Sequence, residues 1–348
     1  MNILKSYNIF PLECGVTLPE ISIAYHTYGE LNESRDNVIW VFHALTGSSD
    51  AADWWDGLIG DGKIFDPKKY FIVCANMLGS CYGATNANSL NPITQKRYGK
   101  DFPIITIQDV VNSHRILQKH LNINKIYLGI GGSMGGQQVL EWSILDKNLF
   151  ENIIVLAAGA KMYPWAIALN ETQRMALEAD STLYDDDENA GKKGMEAARA
   201  VGLISYRTYE TYNKTQRDNN SEKLDNFKVT SYQRYQGLKL SNRFAALSYL
   251  SVTKTMDSHN VGRNRGGIEA ALGSIASKTL VIGIQSDLLF PIDEQIELAA
   301  HIPNAQLEII DSPYGHDGFL IENEQITTLI QGFLSKKIQR VAQKCFSY

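Results

Sequence analysis

The chain has 348 residues, of which 44% are hydrophobic and 20% charged, and its formal net charge is -5. These values are typical of a soluble globular protein, and the length allows one large core or a core that carries a sizeable insertion. The sequence contains no block of Lys or Arg residues, which argues against a surface for nucleic acid or an anionic membrane. We therefore expect neither nucleic acid nor a membrane among its partners.

The first ten residues and the cysteines bear on the cellular compartment. Polar residues interrupt the first ten positions, so they do not resemble a signal peptide, and no apolar run approaches the roughly 18 residues of a membrane span. The four cysteines, Cys14, Cys74, Cys81 and Cys345, lack the C-x-x-C spacing of metal sites and redox pairs. We expect reduced thiols, a cytoplasmic location and no bound metal.

Seven short apolar runs predict β-strands. Several are continuous rather than alternating, as in strands buried on both faces of a parallel sheet. They cover residues 21–25, 38–42, 70–74, 126–130, 153–156, 279–283 and 307–310. Helical periodicity occupies residues 108–120, 135–146, 291–302 and 322–336. This alternation predicts a doubly wound α/β sheet.

Strand signals are missing from the long stretch between residues 156 and 279. Helix-like segments replace them at 171–178, 195–212 and 243–255, and the stretch is too long to be one loop. We predict an inserted helical cap at 159–276 within a core domain formed by 1–158 and 277–348. The acidic run at 185–188 within the cap lacks the spacing of a calcium loop, and we interpret it as a solvated loop.

A glycine-rich turn, Gly131-Gly132-Ser133-Met134-Gly135-Gly136, joins the fourth predicted strand to the helix after it. A G-x-S-x-G turn between a strand and a helix is the context of a nucleophile elbow, where a strained turn exposes a serine hydroxyl. The alternative is a serine that only caps the helix. The nucleophile interpretation also requires a base and an acid elsewhere in the chain.

An acid and a base follow the last two predicted strands. Asp287 comes just after the strand at 279–283, and His316 comes just after the strand at 307–310. The order serine, acid, histidine is that of the α/β hydrolases, and the carboxyl ends of parallel strands share one edge of the sheet. Taken singly, Asp287 has the alternative of a helix cap and His316 that of a hydrogen-bonded loop histidine. Taken together with Ser133, they predict a catalytic triad.

Acyl transfer also requires donors for the oxyanion. The backbone N–H of Met134, directly after the nucleophile, is one candidate. The second is the backbone N–H of Leu45, in the loop after the strand at 38–42. We interpret His43, at the end of that strand, as a structural histidine rather than a second base.

Several motifs together resemble the homoserine O-acetyltransferase family of the α/β-hydrolase fold. The resemblance extends from about residue 10 to about residue 335, and the stretch around His316 is more specific than the elbow. The motifs are AYHTYGELN (24–32), HALTG (43–47), NP (91–92), YGKDFP (98–103), GGSMGG (131–136), LEW (140–142), SD (286–287), FP (290–291) and DSPYGHDGF (311–319).

The resemblance implies a ping-pong reaction. Acetyl-CoA, a co-substrate rather than a bound cofactor, would acylate Ser133 with His316 as the base, and the side-chain hydroxyl of L-homoserine would then accept the acetyl group in a step of methionine biosynthesis. It also implies that Arg199 holds the carboxylate of the amino acid, that Asp317 holds its ammonium group, and that a homodimer forms through the helical caps. Without the resemblance, Arg199 would be read as a surface partner of Glu196, and Asp317 as a helix cap.

The sequence departs from the family pattern at three places. The segment from Gly47 to Trp54 is shorter than usual, Asn86-Ala87-Asn88 replaces Gly-Pro-Ser, and Gln137 replaces a methionine. We expect all three to border the acyl-donor entrance and pocket. The alternatives therefore include homoserine O-succinyltransferase, serine O-acyltransferase and an esterase, with a non-catalytic ligand-binding homologue as the weakest.

Overall fold

The computed structural model of the protein describes residues 1–187 and 189–335. Three features of the sequence extend outside these residues: Glu188 at the end of the acidic run, the last residue of the helix predicted at 322–336, and Cys345. The part of the run that is described, Asp185 to Asp187, is exposed, and Asp186 pairs with Arg97 at 3.5 Å.

Strands and helices alternate along most of the chain. The strands are β1 (Asn2–Ser6), β2 (Phe10–Pro11), β3 (Thr17–Leu18), β4 (Ile21–Tyr28), β5 (Val38–Phe42), β6 (Phe71–Ala75), β7 (Ile126–Gly132), β8 (Phe150–Leu156), β9 (Lys278–Ile284) and β10 (Ala305–Ile310). The helices are α1 (Ala51–Trp54), α2 (Ile107–His120), α3 (Met134–Leu145), α4 (Pro164–Glu178), α5 (Lys192–Tyr206), α6 (Tyr209–Thr215), α7 (Lys228–Ser241), α8 (Ala246–Asp257), α9 (Ile268–Leu272), α10 (Ile292–His301), α11 (Gly318–Ile321) and α12 (Asn323–Ser335).

Within the described residues, one sheet has eight strands in the order β1-β4-β6-β5-β7-β8-β9-β10. The strands from β6 through β5 to β10 are parallel neighbours, whereas β1 and β4 pair antiparallel at one edge. All seven predicted strands lie in this sheet, which confirms the predicted α/β class. The edge strand β1 and the small β2–β3 hairpin were not predicted.

Both faces of the sheet are covered by apolar side chains. All five residues of β5 are buried, as its continuous apolar sequence predicts. One face packs Trp40 and Phe42 against Trp142 of α3, and the other packs Ile39 and Val41 into a second cluster that includes Trp55. No helix in the described ranges is long and apolar enough to cross a membrane.

A capping box starts α2. The side chain of Thr106 accepts a hydrogen bond from the Asp109 N–H at 3.2 Å, and the Asp109 carboxylate accepts one from the Thr106 N–H at 2.9 Å. Two N–H groups that the first helical turn leaves unpaired are satisfied in this way. The helix therefore begins one residue before the predicted start.

The chain between β8 and β9 contains α4 to α9, which we call the inserted helices. Helices α7 and α9 were not predicted. The segment predicted as one helix at 195–212 is two helices, because α5 ends at Tyr206 and α6 begins at Tyr209. The side chain of Thr208 accepts a hydrogen bond from the Thr211 N–H and so caps α6.

Candidate active site

The predicted elbow is a sharp turn from β7 into α3. Ser133 lies between the two elements with φ 56° and ψ -127°, a conformation that non-glycine residues adopt only where the surrounding structure enforces it. A Cβ on Gly131 would lie 2.5 Å from the Gly135 carbonyl carbon, and one on Gly135 would lie 2.2 Å from the Phe42 carbonyl oxygen. The two glycines therefore permit the close backbone approach that holds the serine out of line.

The three predicted triad residues form one hydrogen-bonded chain. His316 Nε2 lies 2.8 Å from Ser133 Oγ, and His316 Nδ1 lies 2.6 Å from Asp287 Oδ2. The other oxygen of Asp287 accepts hydrogen bonds from the N–H groups of Leu289 and Phe290 at 2.8 and 3.0 Å. Asp287 is thus fixed at both oxygens, and Pro291, not Asp287, is the N-cap of α10.

The charge of Asp287 raises the pKa of the His316 imidazole. Burial alone would lower the pKa of His316, but the charge of Asp287, its hydrogen bond and the charge of Asp317 raise it above the ordinary value. The protonated imidazole is therefore stabilised beside the serine. This is the property required of a general base that must hold a proton between two steps.

The two predicted oxyanion donors are close to the elbow. Met134 begins α3, and Leu45 lines the same cavity as Ser133. Within the described chain, neither backbone N–H donates a hydrogen bond. His43 is fully buried, with Nδ1 2.9 Å from the Ala44 carbonyl oxygen and Nε2 accepting from the Met77 N–H at 3.0 Å. Burial lowers its pKa to about 4, so His43 is neutral and holds the loop that carries Leu45.

Ser133 and His316 line a cavity of about 780 Å³. Core residues form one side, and residues of α5, α7 and the α7–α8 connection form the other. Charged side chains of both signs are exposed to the cavity, and the cations outnumber the carboxylates: Arg199, Arg207, Lys239 and Arg243 against Asp53 and Asp317. The cavity therefore suits an anionic or zwitterionic ligand.

The structure brings Arg199 and Asp317 to this cavity as well. The Arg199 guanidinium lies 5.5 Å from the centre of the Tyr206 ring, while Glu196 pairs with Lys193. The surface-pair interpretation of Arg199 is therefore wrong. Asp317 makes no side-chain capping bond to α11; its Oδ2 accepts a hydrogen bond from Arg207 Nε at 2.6 Å.

Two residues near the triad were not found from the sequence. Arg207 follows the last residue of α5. Helical periodicity predicts a single helix over 195–212 and so gives no sign of this break; Thr208, a residue type that caps helices, is the signal that marks it. Glu294 lies in the first turn of α10, where burial and the charges of Asp287 and Glu297 raise its pKa to about 8. Its sequence context gives no sign of that burial.

The departures from the family pattern are not all at the cavity. Gly47, Ser48, Ser49, Asp53 and Trp54 line it, as expected for the shortened segment. Residues 86–88 and Gln137 do not line it: Asn86 closes a local turn through Ala84 and Asn88, and Gln137 contacts Met162.

The described cysteines are free thiols. Cys74 is fully buried in β6, and burial raises the pKa of Cys81, so neither is an activated nucleophile. No group of metal-ligating side chains occurs in the described part of the chain.

Comparisons with known proteins agree with this geometry. A family model described as the alpha/beta hydrolase fold matches residues 37–322. The homoserine O-acetyltransferase of Cyclobacterium marinum is 50% identical, covering 92% of each chain. The crystal structure of homoserine O-acetyltransferase from Bacillus anthracis is similar with a TM-score of 0.88 at 23% identity, covering 97% of this chain and 99% of that one.

The structure of esterase E22 is similar with a TM-score of 0.86 at 24% identity, covering 96% of this chain and 99% of that one. At this level of identity, the two solved structures support the fold alone. The family follows from the sequence relative, which matches nearly the whole chain at high identity. The chain therefore belongs to the homoserine O-acetyltransferase family of the α/β-hydrolase fold.

Proposed function

We propose that the protein transfers an acetyl group from acetyl-CoA to the side-chain hydroxyl of L-homoserine through an acetyl-Ser133 intermediate. The observation that carries the proposal is the hydrogen-bonded chain from Asp287 through His316 to Ser133 at the wall of a cavity rich in cations. The phosphates of the donor and the carboxylate of the acceptor are both anionic, so such a cavity favours both.

In the first half-reaction, His316 Nε2 takes the proton of Ser133 as Oγ attacks the thioester carbonyl. The N–H groups of Leu45 and Met134 donate hydrogen bonds to the carbonyl oxygen and so stabilise the negative charge that develops on it. The carbon–sulfur bond then breaks, the proton passes from His316 to the CoA sulfur, and acetyl-Ser133 remains. Asp287 stabilises the imidazolium between the two proton transfers.

In the second half-reaction, His316 takes the proton of the homoserine hydroxyl, whose oxygen attacks acetyl-Ser133. Collapse of the tetrahedral intermediate returns the proton to Ser133 Oγ and releases O-acetylhomoserine. We assign the substrate's carboxylate to Arg199 and its ammonium group to Asp317, because one fixed cation and one fixed anion at the cavity match a zwitterion. No metal or prosthetic group enters these steps.

We also propose that residues 159–276 form a cap over a core of 1–158 and 277–348. Arg199, Arg207 and Arg243 come to the cavity from the cap, while Ser133 comes from the core, which supports the division.

Exposed apolar side chains on α5 and α7, among them Ile204 and Tyr235, support a homodimer through the cap. Light scattering in solution tests the oligomeric state. The free thiols of the described cysteines support a cytoplasmic location.

The proposal is tested with a matrix of acyl donors and acceptors. Acetyl-, succinyl- and propionyl-CoA are each combined with L-homoserine, L-serine and water, and the release of CoA and the acylated product are measured. We expect acetyl-CoA with homoserine to give the fastest turnover. Turnover with water alone that matches every acceptor would replace the transferase with an esterase, and a preference for succinyl-CoA would change the donor.

The variant Ser133→Ala identifies the acyl carrier. We expect it to reduce CoA release by about 10⁴-fold or more, since the nucleophile of a triad is lost, while the circular-dichroism spectrum and melting temperature stay close to those of the wild type. CoA release at the wild-type rate from Ser133→Ala would contradict a covalent route.

A further inference from the structure

Arg207 and Asp317 form an ion pair at the cavity, and Asp317 directly follows the catalytic His316 in the sequence. Arg207 Nε donates to Asp317 Oδ2 at 2.6 Å, and the two side chains are 23% and 16% exposed. Both residues line the cavity. Among the described residues, no group donates a hydrogen bond to the other carboxylate oxygen, Oδ1. One oxygen of Asp317 is therefore held, and the other is free for a ligand.

Other contacts join the same two segments as the ion pair. The hydroxyls of Thr208 and Thr211 both donate to the Pro313 carbonyl oxygen, and a Cβ on Gly315 would lie only 3.1 Å from the Tyr206 carbonyl oxygen. These contacts already dock residues 206–211 on the loop that carries His316. The position of this loop therefore does not depend on Arg207 alone.

We propose that Arg207 is a positioning residue for the acceptor: it fixes Asp317 Oδ2 so that Oδ1 faces the ammonium group of the incoming amino acid. This inference rests on the proposed function, in which Asp317 binds that ammonium group. A carboxylate that is already oriented loses less side-chain freedom when the amine binds. Arg207 therefore favours acceptors that carry an amine over those that carry only a carboxylate and a hydroxyl.

The test compares two acceptors, L-homoserine and 4-hydroxybutyrate, which differ only in the amine. For Arg207→Gln we expect the KM for homoserine to rise about tenfold or more, and to rise at least about threefold more than either the KM for 4-hydroxybutyrate rises or the burst of CoA release without acceptor slows. Arg207→Lys, which keeps the cation, should recover part of the loss.

Two control variants separate this role from others. Arg199→Gln should raise the KM for both acceptors, because both have the carboxylate. Thr211→Val weakens the docking contact without touching Asp317, and it should leave the preference for the amine unchanged.

Equal losses for both acceptors in Arg207→Gln, or an equal loss in the CoA burst, would show a merely structural role and overturn the inference. A wild-type enzyme that does not prefer homoserine to 4-hydroxybutyrate would overturn it together with the ammonium role of Asp317. Absence of a CoA burst in the wild-type protein would instead contradict the proposed transfer reaction itself.

Discussion

At the scale of single residues, the site combines a strained serine with a carboxylate network behind it. The positive φ of Ser133 is tolerated because Gly131 and Gly135 let neighbouring backbone segments approach. The sequence pattern is sufficient to predict this turn, since glycine at both positions has a direct steric reason. Glu294 is different, because its environment arises only from the packing of α10 on the residues after β8.

Glu294 provides a prediction on pH and stability. The residue is 9% exposed, Oε2 has no hydrogen-bond partner in the described structure, and burial with the charges of Asp287 and Glu297 raises the pKa of its carboxyl to about 8 from the usual 4.5. Between these values the folded state holds a proton that the unfolded state has lost. Folding is therefore favoured less as the pH rises through this window.

We expect Glu294→Gln to remove this dependence, because the amide is neutral at every pH. Relative to the variant, the wild type should lose up to about 1.4 kcal/mol of unfolding free energy per pH unit between about 5 and 8. Urea unfolding at a series of pH values measures the difference. The neighbouring exposed Asp293→Asn is the control and should follow the wild type; parallel curves for wild type and Glu294→Gln would contradict a buried neutral acid.

At the scale of elements, helix caps decide where the chain changes direction. The capping box of Thr106 and Asp109 starts α2, and the cap at Thr208 starts α6. Apolar periodicity alone continues across 206–209, and it therefore predicts one helix over 195–212. The break is a local hydrogen-bonding event, and it brings Arg207 to the cavity.

The capping box of α2 can be tested directly. We expect Thr106→Ala to lower the unfolding free energy by about 1 kcal/mol, because the Asp109 N–H loses its acceptor at a buried helix start. Thr106→Ser keeps the hydroxyl oxygen and should lose much less. Chemical denaturation of both variants measures the change, and equal losses would attribute the effect to packing of the threonine methyl group rather than to the cap.

At the scale of the whole molecule, the sequence predicted the sheet better than the inserted helices. The central strands are continuous apolar runs whose burial on both faces leaves a clear signal, and the triad follows from their order. The short strands β1 to β3 and the polar helix α7 lack such a signal. The pairing of Arg207 with Asp317 and the burial of Glu294 depend on segments far apart in the chain, and a local sequence pattern does not show such contacts.

An ion pair between Arg265, in the connection between α8 and α9, and Glu141 of α3 joins the inserted segment to the core. The pair is bidentate: Arg265 Nη1 lies 2.8 Å from Glu141 Oε2, and Nη2 donates to Oε1. The side chain of Glu141 is only 4% exposed. Removing the cation leaves a buried carboxylate without its partner.

We expect Arg265→Ala to lower the unfolding free energy by about 3 kcal/mol. The double variant Arg265→Ala with Glu141→Gln should recover part of that loss, because no charge is then buried. Guanidinium titrations of the wild type, both single variants and the double variant give the coupling between the two side chains. Losses that simply add would contradict a direct interaction.

The docking of Thr208 and Thr211 on Pro313 has a kinetic consequence. A hinge motion that swings α5 and α6 away from the sheet must either break both hydrogen bonds or pull Pro313, and His316 with it, out of register with Ser133. The helices α5 and α6 cannot move away from the sheet in this way while His316 stays in place beside Ser133. We therefore expect reactants to enter and leave through the existing mouth of the cavity, without a hinge motion of α5 and α6.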